Sequence, residues 1–131
     1  DDFVLLPCNA PPEEGLALQL EQVARYEPGT RLWFPNKNRQ LELGHEWIDA
    51  TVVEDLGHLI RVKLSAGIVM NSQSGSPLLN AATGKVIGMV NGGEEERGAI
   101  ILTLCPARSV LKHLGRRQEL TSLMTSIRRR R

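Results

Sequence analysis

The sequence has little of several features that would define a specialised class of protein. Only 4% of its 131 residues are aromatic, the formal net charge is +1, and there are two cysteines. Cys8 and Cys105 are too few for a disulfide framework, and their spacing leaves open whether they pair. No apolar run reaches the length of a membrane-spanning helix. No cluster of Cys and His has zinc spacing. We therefore expect a globular domain with no metal and no cofactor.

Charge is nearly balanced overall but uneven along the chain. Arg116, Arg117 and the run 128–131 concentrate positive charge near the C-terminal end. A terminal arginine run is usually a solvated tail. Because net charge is close to zero and aromatics are scarce, we expect no nucleic-acid partner and no membrane contact through this tail.

Short apolar or alternating segments separated by turn residues predict six or seven β-strands. The clearest strand candidates are residues 3–6, 32–34, 47–53, 59–64, 77–79, 86–90 and 99–102. Residues 80–84 predict a hairpin turn, 94–97 a charged loop, and His45 lies in a predicted Gly-His-Glu turn.

Beyond Pro106 the spacing between apolar residues changes from two positions to three or four positions. Apolar residues recur from Val110 to Ile127 at the spacing of an amphipathic helix, and Gly115 could divide it into two. The fold class predicted from these patterns is all-β, a six- to seven-stranded closed antiparallel barrel followed by a C-terminal helix.

Residues 71–77, with the sequence Asn-Ser-Gln-Ser-Gly-Ser-Pro, form a loop suited to presenting a nucleophile. A serine hydroxyl reacts only from a tight turn whose backbone N–H groups can hold the developing oxyanion. Small residues on both sides of Ser74 permit such a turn, and the predicted hairpin that follows would fix it to the barrel.

The string from Ser74 to Gly93 resembles the nucleophile segment of trypsin-like serine peptidases, in the simpler form of the bacterial and high-temperature-requirement branches. Residues 2–6, Asp-Phe-Val-Leu-Leu, resemble the family segment whose aspartate orients the catalytic histidine. Together the two motifs imply the second barrel of the trypsin-like double barrel. The order of these segments along the chain is that of the family. The resemblance therefore assigns residues 1–15 to the end of the first barrel and the linker, 16–105 to the second barrel, and 106–131 to the helix and basic tail.

The resemblance also implies roles for individual residues. Ser74 is the expected nucleophile, Asp2 the orienting acid, and the N–H groups of Ser72 and Ser74 the oxyanion hole. The resemblance implies a substrate pocket with Ile68 near its floor, Asn91, Gly92 and Gly93 as one wall, and Gly98 opposite. None of these residues is charged, so the pocket would favour an apolar side chain. Ser72 departs from the family's usual glycine, which puts the oxyanion hole in doubt. Gln73 departs from the aspartate of the secreted digestive enzymes, which argues against their route of zymogen activation.

The general base is missing from this sequence. The family places its histidine in the first barrel, upstream of Asp2, and the resemblance puts none of His45, His58 and His113 near Ser74. Because the chain begins directly in strand-like sequence, we expect it to be part of a longer protein and inactive alone. The expected partners are a polypeptide substrate and the first barrel, or a second copy through the apolar face that the first barrel would cover.

Two other functions fit parts of the sequence. A catalytically inactive trypsin-like domain that binds extended peptides is favoured by Ser72 and the absent base. An unrelated small barrel that binds nucleic acid or an anionic membrane is favoured by the terminal arginines alone.

Overall fold

A computed structural model describes Phe3 and residues 18–37, 45–65 and 73–129 of the chain. Within these residues lie six β-strands and one α-helix. Their bounds are β1 (Arg31–Lys37), β2 (His45–Asp55), β3 (Ile60–Leu64), β4 (Pro77–Asn80), β5 (Val86–Glu96), β6 (Ala99–Pro106) and α1 (Ala107–Arg129).

The six strands form a closed antiparallel barrel in the order β1-β2-β3-β6-β5-β4, and β1 pairs with β4 to close it. Closure gives each described strand a neighbour on both sides, which reduces the exposed strand edge that could serve as a template for aggregation. The predicted barrel with a C-terminal helix is confirmed, with six strands in the described part of the chain.

The alternation of side chains along the strands places the core inside the barrel. In β1, Leu32 and Phe34 are fully buried while Arg31 and Trp33 between and beside them face outward. The same period of two holds in β2 and β3, whereas β4, β5 and β6 also bury consecutive residues. The buried residues that fill it are Leu32, Phe34, Ile48, Ala50, Val52, Ile60, Val62, Leu64, Leu78, Ile87, Val90, Leu102 and Leu104.

Because all neighbouring strands are antiparallel, the connections divide between the two ends of the barrel. The β1–β2, β3–β4 and β5–β6 connections lie at one end, which we call the serine end because Ser74 precedes β4. The β2–β3 and β4–β5 connections and the start of α1 lie at the other, the helix end.

The predicted charged loop at 94–97 is wrong, because β5 continues through Glu96. Glu96 pairs with Ala99, so the hairpin turn consists of Arg97 and Gly98 alone. Their φ angles of 51° and 80° are both positive, as the two-residue turn whose twist matches the flanking strands requires.

One arginine on β3 forms ion pairs with three acidic side chains, one on β2 and two on β5. Arg61 contacts Glu54 at 2.9 Å, Glu96 at 2.8 Å and Glu94 at 3.5 Å. This arginine reaches across β6 and relieves part of the repulsion that the run of glutamates would otherwise create within the sheet. The run therefore pairs as strand instead of leaving the barrel as a loop.

Two further local predictions are also wrong. His45 is the first residue of β2 and pairs with Lys37, so the Gly-His-Glu turn is not formed as predicted. Gly115 does not divide the helix, since α1 is continuous for 23 residues. One glycine costs a helix only about 1 kcal/mol relative to alanine, which neighbouring helix-forming residues outweigh.

No helix in the described part of the chain is long and apolar enough to cross a membrane.

Asp55 joins three segments at the helix end. Its side chain is 2% exposed and accepts hydrogen bonds from the backbone N–H of Tyr26 at 2.9 Å and of Gly57 at 2.8 Å. The guanidinium of Arg108, in the first turn of α1, binds both of its carboxylate oxygens. Arg108 also donates to the carbonyl of Gly57 at 2.8 Å. The Asp55 network thus fixes α1 and the segment before β1 to the β2–β3 turn.

Glu21 performs a similar role on the other side of the helix end. Its carboxylate is buried and accepts from Tyr26 Oη at 2.9 Å, from Asn80 Nδ2 at 2.8 Å and from the hydroxyl of Thr83. Its backbone N–H donates to the carbonyl of Val86 at 2.8 Å. These bonds hold the segment before β1 against the β4–β5 hairpin.

The surroundings of the Glu21 and Asp55 carboxylates favour their ionised forms. Burial opposes the charged form, but the donors outweigh it and lower the pKa of Glu21 through Thr83, Asn80 and Tyr26. Burial is likewise outweighed at Asp55, where Arg108 and two backbone N–H groups lower the pKa. Burial and the bond to Glu21 raise the pKa of the Tyr26 phenol far above its usual range, so the phenol remains a donor.

The lowered pKa values predict that acid destabilises the barrel. The stabilisation is complete above the unfolded-state values, ordinarily 4.5 for Glu21 and 3.8 for Asp55, and is lost as pH falls through the lower folded-state values. Urea unfolding should therefore show a free energy of unfolding that declines steadily below pH 4.5. Glu21→Gln, whose amide cannot titrate, should have a shallower decline than the wild type. An equal decline in both proteins would contradict the role given to Glu21.

Candidate active site

Ser74 lies in a tight turn at the serine end. The N–H of Ser76 donates to the carbonyl of Gln73 at 3.0 Å, which closes a four-residue turn with Ser74 and Gly75 at its centre. Gly75 has a φ of +87°, the value that a type II turn needs at its third residue. Glycine adopts this conformation without the strain that other residues incur. The turn leaves the Ser74 residue exposed.

Strand β5 holds this turn in place. The N–H of Gly75 donates to the carbonyl of Val90 at 2.7 Å, and the N–H of Val90 donates to the carbonyl of Ser76 at 2.9 Å. Val90 is itself buried in the barrel core. The serine therefore projects from a turn with two backbone bonds to a rigid strand, as a nucleophile requires.

Gln73 connects the turn to a second strand. Its side chain is 3% exposed, and its Nε2 donates to Oδ1 of Asn36 near the end of β1 at 3.1 Å. The prediction for Gln73 concerned only an ion pair that it cannot make. Its contact with Asn36 was missed, because 37 positions separate the two residues and no sequence motif joins them.

Asn91, Gly92 and Gly93 follow Val90 directly along β5, beside the Ser74 turn. The pairing with β6 shifts register between Val90 and Gly92, so Asn91 is the extra residue of a bulge. Bulges redirect a strand and are common beside active sites. Asn91 and Gly92 are half-buried and Gly93 is exposed. This placement is compatible with a wall of a substrate pocket.

Gly98 does not lie across from that wall, where the sequence interpretation put it. The residue paired with Gly93 is Leu102, and Gly98 is at the exposed tip of the β5–β6 hairpin. The tip is at least 10 Å further along the strand, at about 3.3 Å per residue. The acidic run forms strand instead of loop, and this extension moves Gly98 away.

Three other predicted site residues, Asp2, Ser72 and Ile68, lie outside the described residues. Cys8 does as well, while Cys105 is buried in β6. Within the described part of the chain, no group of three or more His, Cys, Asp or Glu side chains is arranged to hold a metal ion.

The topology separates two of the three histidines from Ser74. His58 is in the β2–β3 turn and His113 is on α1, and both elements belong to the helix end. Ser74 is in the β3–β4 connection at the opposite end. His45 begins β2 at the serine end, opposite Lys37 on β1. Neither His58 nor His113 can therefore act as general base for Ser74 in this barrel.

Comparison with known proteins agrees with this fold. No family model matches the sequence, and no curated protein matches it. Among solved structures, the chain is similar to kallikrein-related peptidase 10, with a TM-score of 0.64 and 16% sequence identity. The similarity covers 85% of this chain and 62% of the peptidase chain, so the barrel corresponds to less than two thirds of that structure. At this identity the likeness shows the fold alone, a closed antiparallel barrel followed by a C-terminal helix.

Proposed function

We propose that the chain is the second barrel of a serine endopeptidase, which hydrolyses polypeptides through an acyl-enzyme intermediate. The observation that supports this most directly is the Ser74 turn. It presents an exposed serine from a type II-like turn bonded to β5 of a closed barrel with the trypsin-like fold. The bacterial branch suggested by the short motifs remains part of the proposal, since the structural similarity bears on the fold alone.

The proposed reaction begins with attack of Ser74 Oγ on the scissile carbonyl. A histidine from the first barrel takes the hydroxyl proton and then gives it to the leaving amine. Asp2 holds that histidine in the tautomer that can accept the proton. The N–H groups of Ser72 and Ser74 receive the oxyanion of the tetrahedral intermediate. Water then attacks the acyl-enzyme with help from the same base, releases the second product and restores Ser74.

In this proposal, the residues around Ser74 hold the nucleophile in a fixed position. Gly75 and Ser76 are bonded to Val90, and Gln73 is bonded to Asn36, so β5 and β1 together fix the turn. A nucleophile displaced by about 1 Å loses much of the advantage of proximity. The proposed substrate is a polypeptide with an apolar side chain facing Asn91 and Gly92, because none of the residues expected to line this pocket is charged.

The test is reaction of the complete protein, including the histidine-bearing first barrel, with a fluorophosphonate probe. We expect one covalent adduct, located by peptide mapping on Ser74, and none on the isolated barrel. An intact fold without any adduct would reject the peptidase and leave the peptide-binding module. If the complete protein contains no histidine upstream of Asp2, the catalytic proposal fails without further experiment.

A further inference from the structure

An open groove lies at the helix end, on the far side of the barrel from Ser74. Its volume is about 390 Å³, and it runs between the β2–β3 turn and one face of α1. The residues that line it are Gly57, His58, Arg108, Ser109, Lys112, His113 and Arg116. Five of these seven residues have a basic side chain, and none has an acidic one.

Among the described residues, two of the cations in this groove have no carboxylate partner. Arg108 is paired with the buried Asp55. Lys112 and Arg116 form no ion pair with any acidic side chain in the described part of the chain. They are four positions apart on α1, where like charges repel. An anion placed between them would relieve this repulsion.

The walls of the groove are held in position before any ligand arrives. Arg108 binds both the carboxylate of Asp55 and the carbonyl of Gly57, which fixes the β2–β3 turn against α1. On the helix side, the ring of His113 meets the ring of Phe3 edge to face at a centroid distance of 5.4 Å. A prearranged site loses less conformational entropy when a ligand binds.

From this geometry we propose that the groove binds a phosphate group. Lys112 and Arg116 supply charge, Arg116 also supplies a guanidinium fork suited to phosphate, and the two histidines and Ser109 can donate further hydrogen bonds. A second copy of the chain fits poorly, since the same basic face would be repelled by itself. The phosphate could belong to a soluble molecule or to a lipid headgroup. Its site lies at the opposite end of the barrel from Ser74 and does not depend on the peptidase proposal.

The test is a titration of the folded chain with tripolyphosphate at constant ionic strength, followed by amide NMR. We expect saturable shifts at residues 57–58 and 108–116. Arg116→Glu should weaken this binding about tenfold, the scale of one lost charge-assisted contact. Arg117→Glu is the matched control, because it makes the same charge change at the next exposed position but does not line the groove. The control should change the affinity less than about twofold, since an exposed charge away from the groove contributes little.

Vesicles of phosphatidylglycerol, with phosphatidylcholine vesicles as the neutral comparison, distinguish the source of the phosphate. Binding to the anionic vesicles that falls with Arg116→Glu and persists with Arg117→Glu identifies a lipid headgroup. Binding to tripolyphosphate alone with that same dependence identifies a soluble phosphate. Equal losses in the two variants, or shifts confined to the arginine run at 128–131, would overturn the site. Circular dichroism of both variants verifies that the fold is retained.

Discussion

Under the proposed peptidase mechanism, Ser74→Ala in the complete protein is expected to lower kcat about a million-fold, as loss of a triad nucleophile does. The physical reason is that no other group can form the acyl-enzyme from the same position. Gly75 and Ser76 are bonded to Val90, so the turn cannot shift a neighbouring hydroxyl into the place of Ser74. The measurement is steady-state hydrolysis of a peptide substrate with an apolar side chain before the scissile bond.

Ser76→Ala is the matched control for this change. It removes the same hydroxyl two positions away, while the backbone bonds of Ser76 to Gln73 and Val90 remain. We expect activity within about tenfold of the wild type, because this change can shift the position of Ser74 slightly but removes no group that takes part in the reaction. Equal loss of activity in both variants would show that the turn has collapsed and would remove the evidence for Ser74 as nucleophile.

Asp55→Ala should destabilise the barrel by about 3 kcal/mol, the scale for removing one partner of a buried ion pair. Asp55 is 2% exposed, and Arg108 is 17% exposed. The substitution leaves the Arg108 guanidinium without its main acceptor and the N–H groups of Tyr26 and Gly57 without theirs. Urea denaturation monitored by tryptophan fluorescence measures the loss.

Asp49→Ala provides the comparison on the same strand. Asp49 is 65% exposed and lies 3.9 Å from Arg31, so its removal should cost less than about 0.5 kcal/mol. The double variant Asp55→Ala/Arg108→Met should be more stable than Asp55→Ala, because it no longer buries an unpaired cation. If the double variant is as unstable as the sum of both single changes, the Asp55–Arg108 pair is not coupled as the structure implies.

The strands of the barrel core were predictable because their pattern is local. Val86 to Val90 and Leu59 to Leu64 carry a period of two or a β-branched run, and both form strands where expected. The hairpin at 80–84 follows from its turn residues, and α1 follows from its change of period. Each of these signals depends on a few consecutive residues.

The errors arose where distant residues changed the local preference. Glu94 to Glu96 have the composition of a loop, but Arg61 lies beside two of them in the barrel and the run forms strand. Gly98 was expected opposite Asn91 from the family resemblance and not from a local pattern. Extending β5 moved Gly98 to the hairpin tip.

The turn that carries Ser74 follows from a few consecutive residues. Glycine at 75 supplies the positive φ, small neighbours permit the tight geometry, and the segment that follows has strand period. The contacts of that turn with Val90 and Asn36, and the basic groove at the helix end, depend on the tertiary structure. Contacts such as Gln73 with Asn36 and Arg108 with Asp55 join residues 37 and 53 positions apart. They exist only after the barrel has closed, and no local preference encodes them.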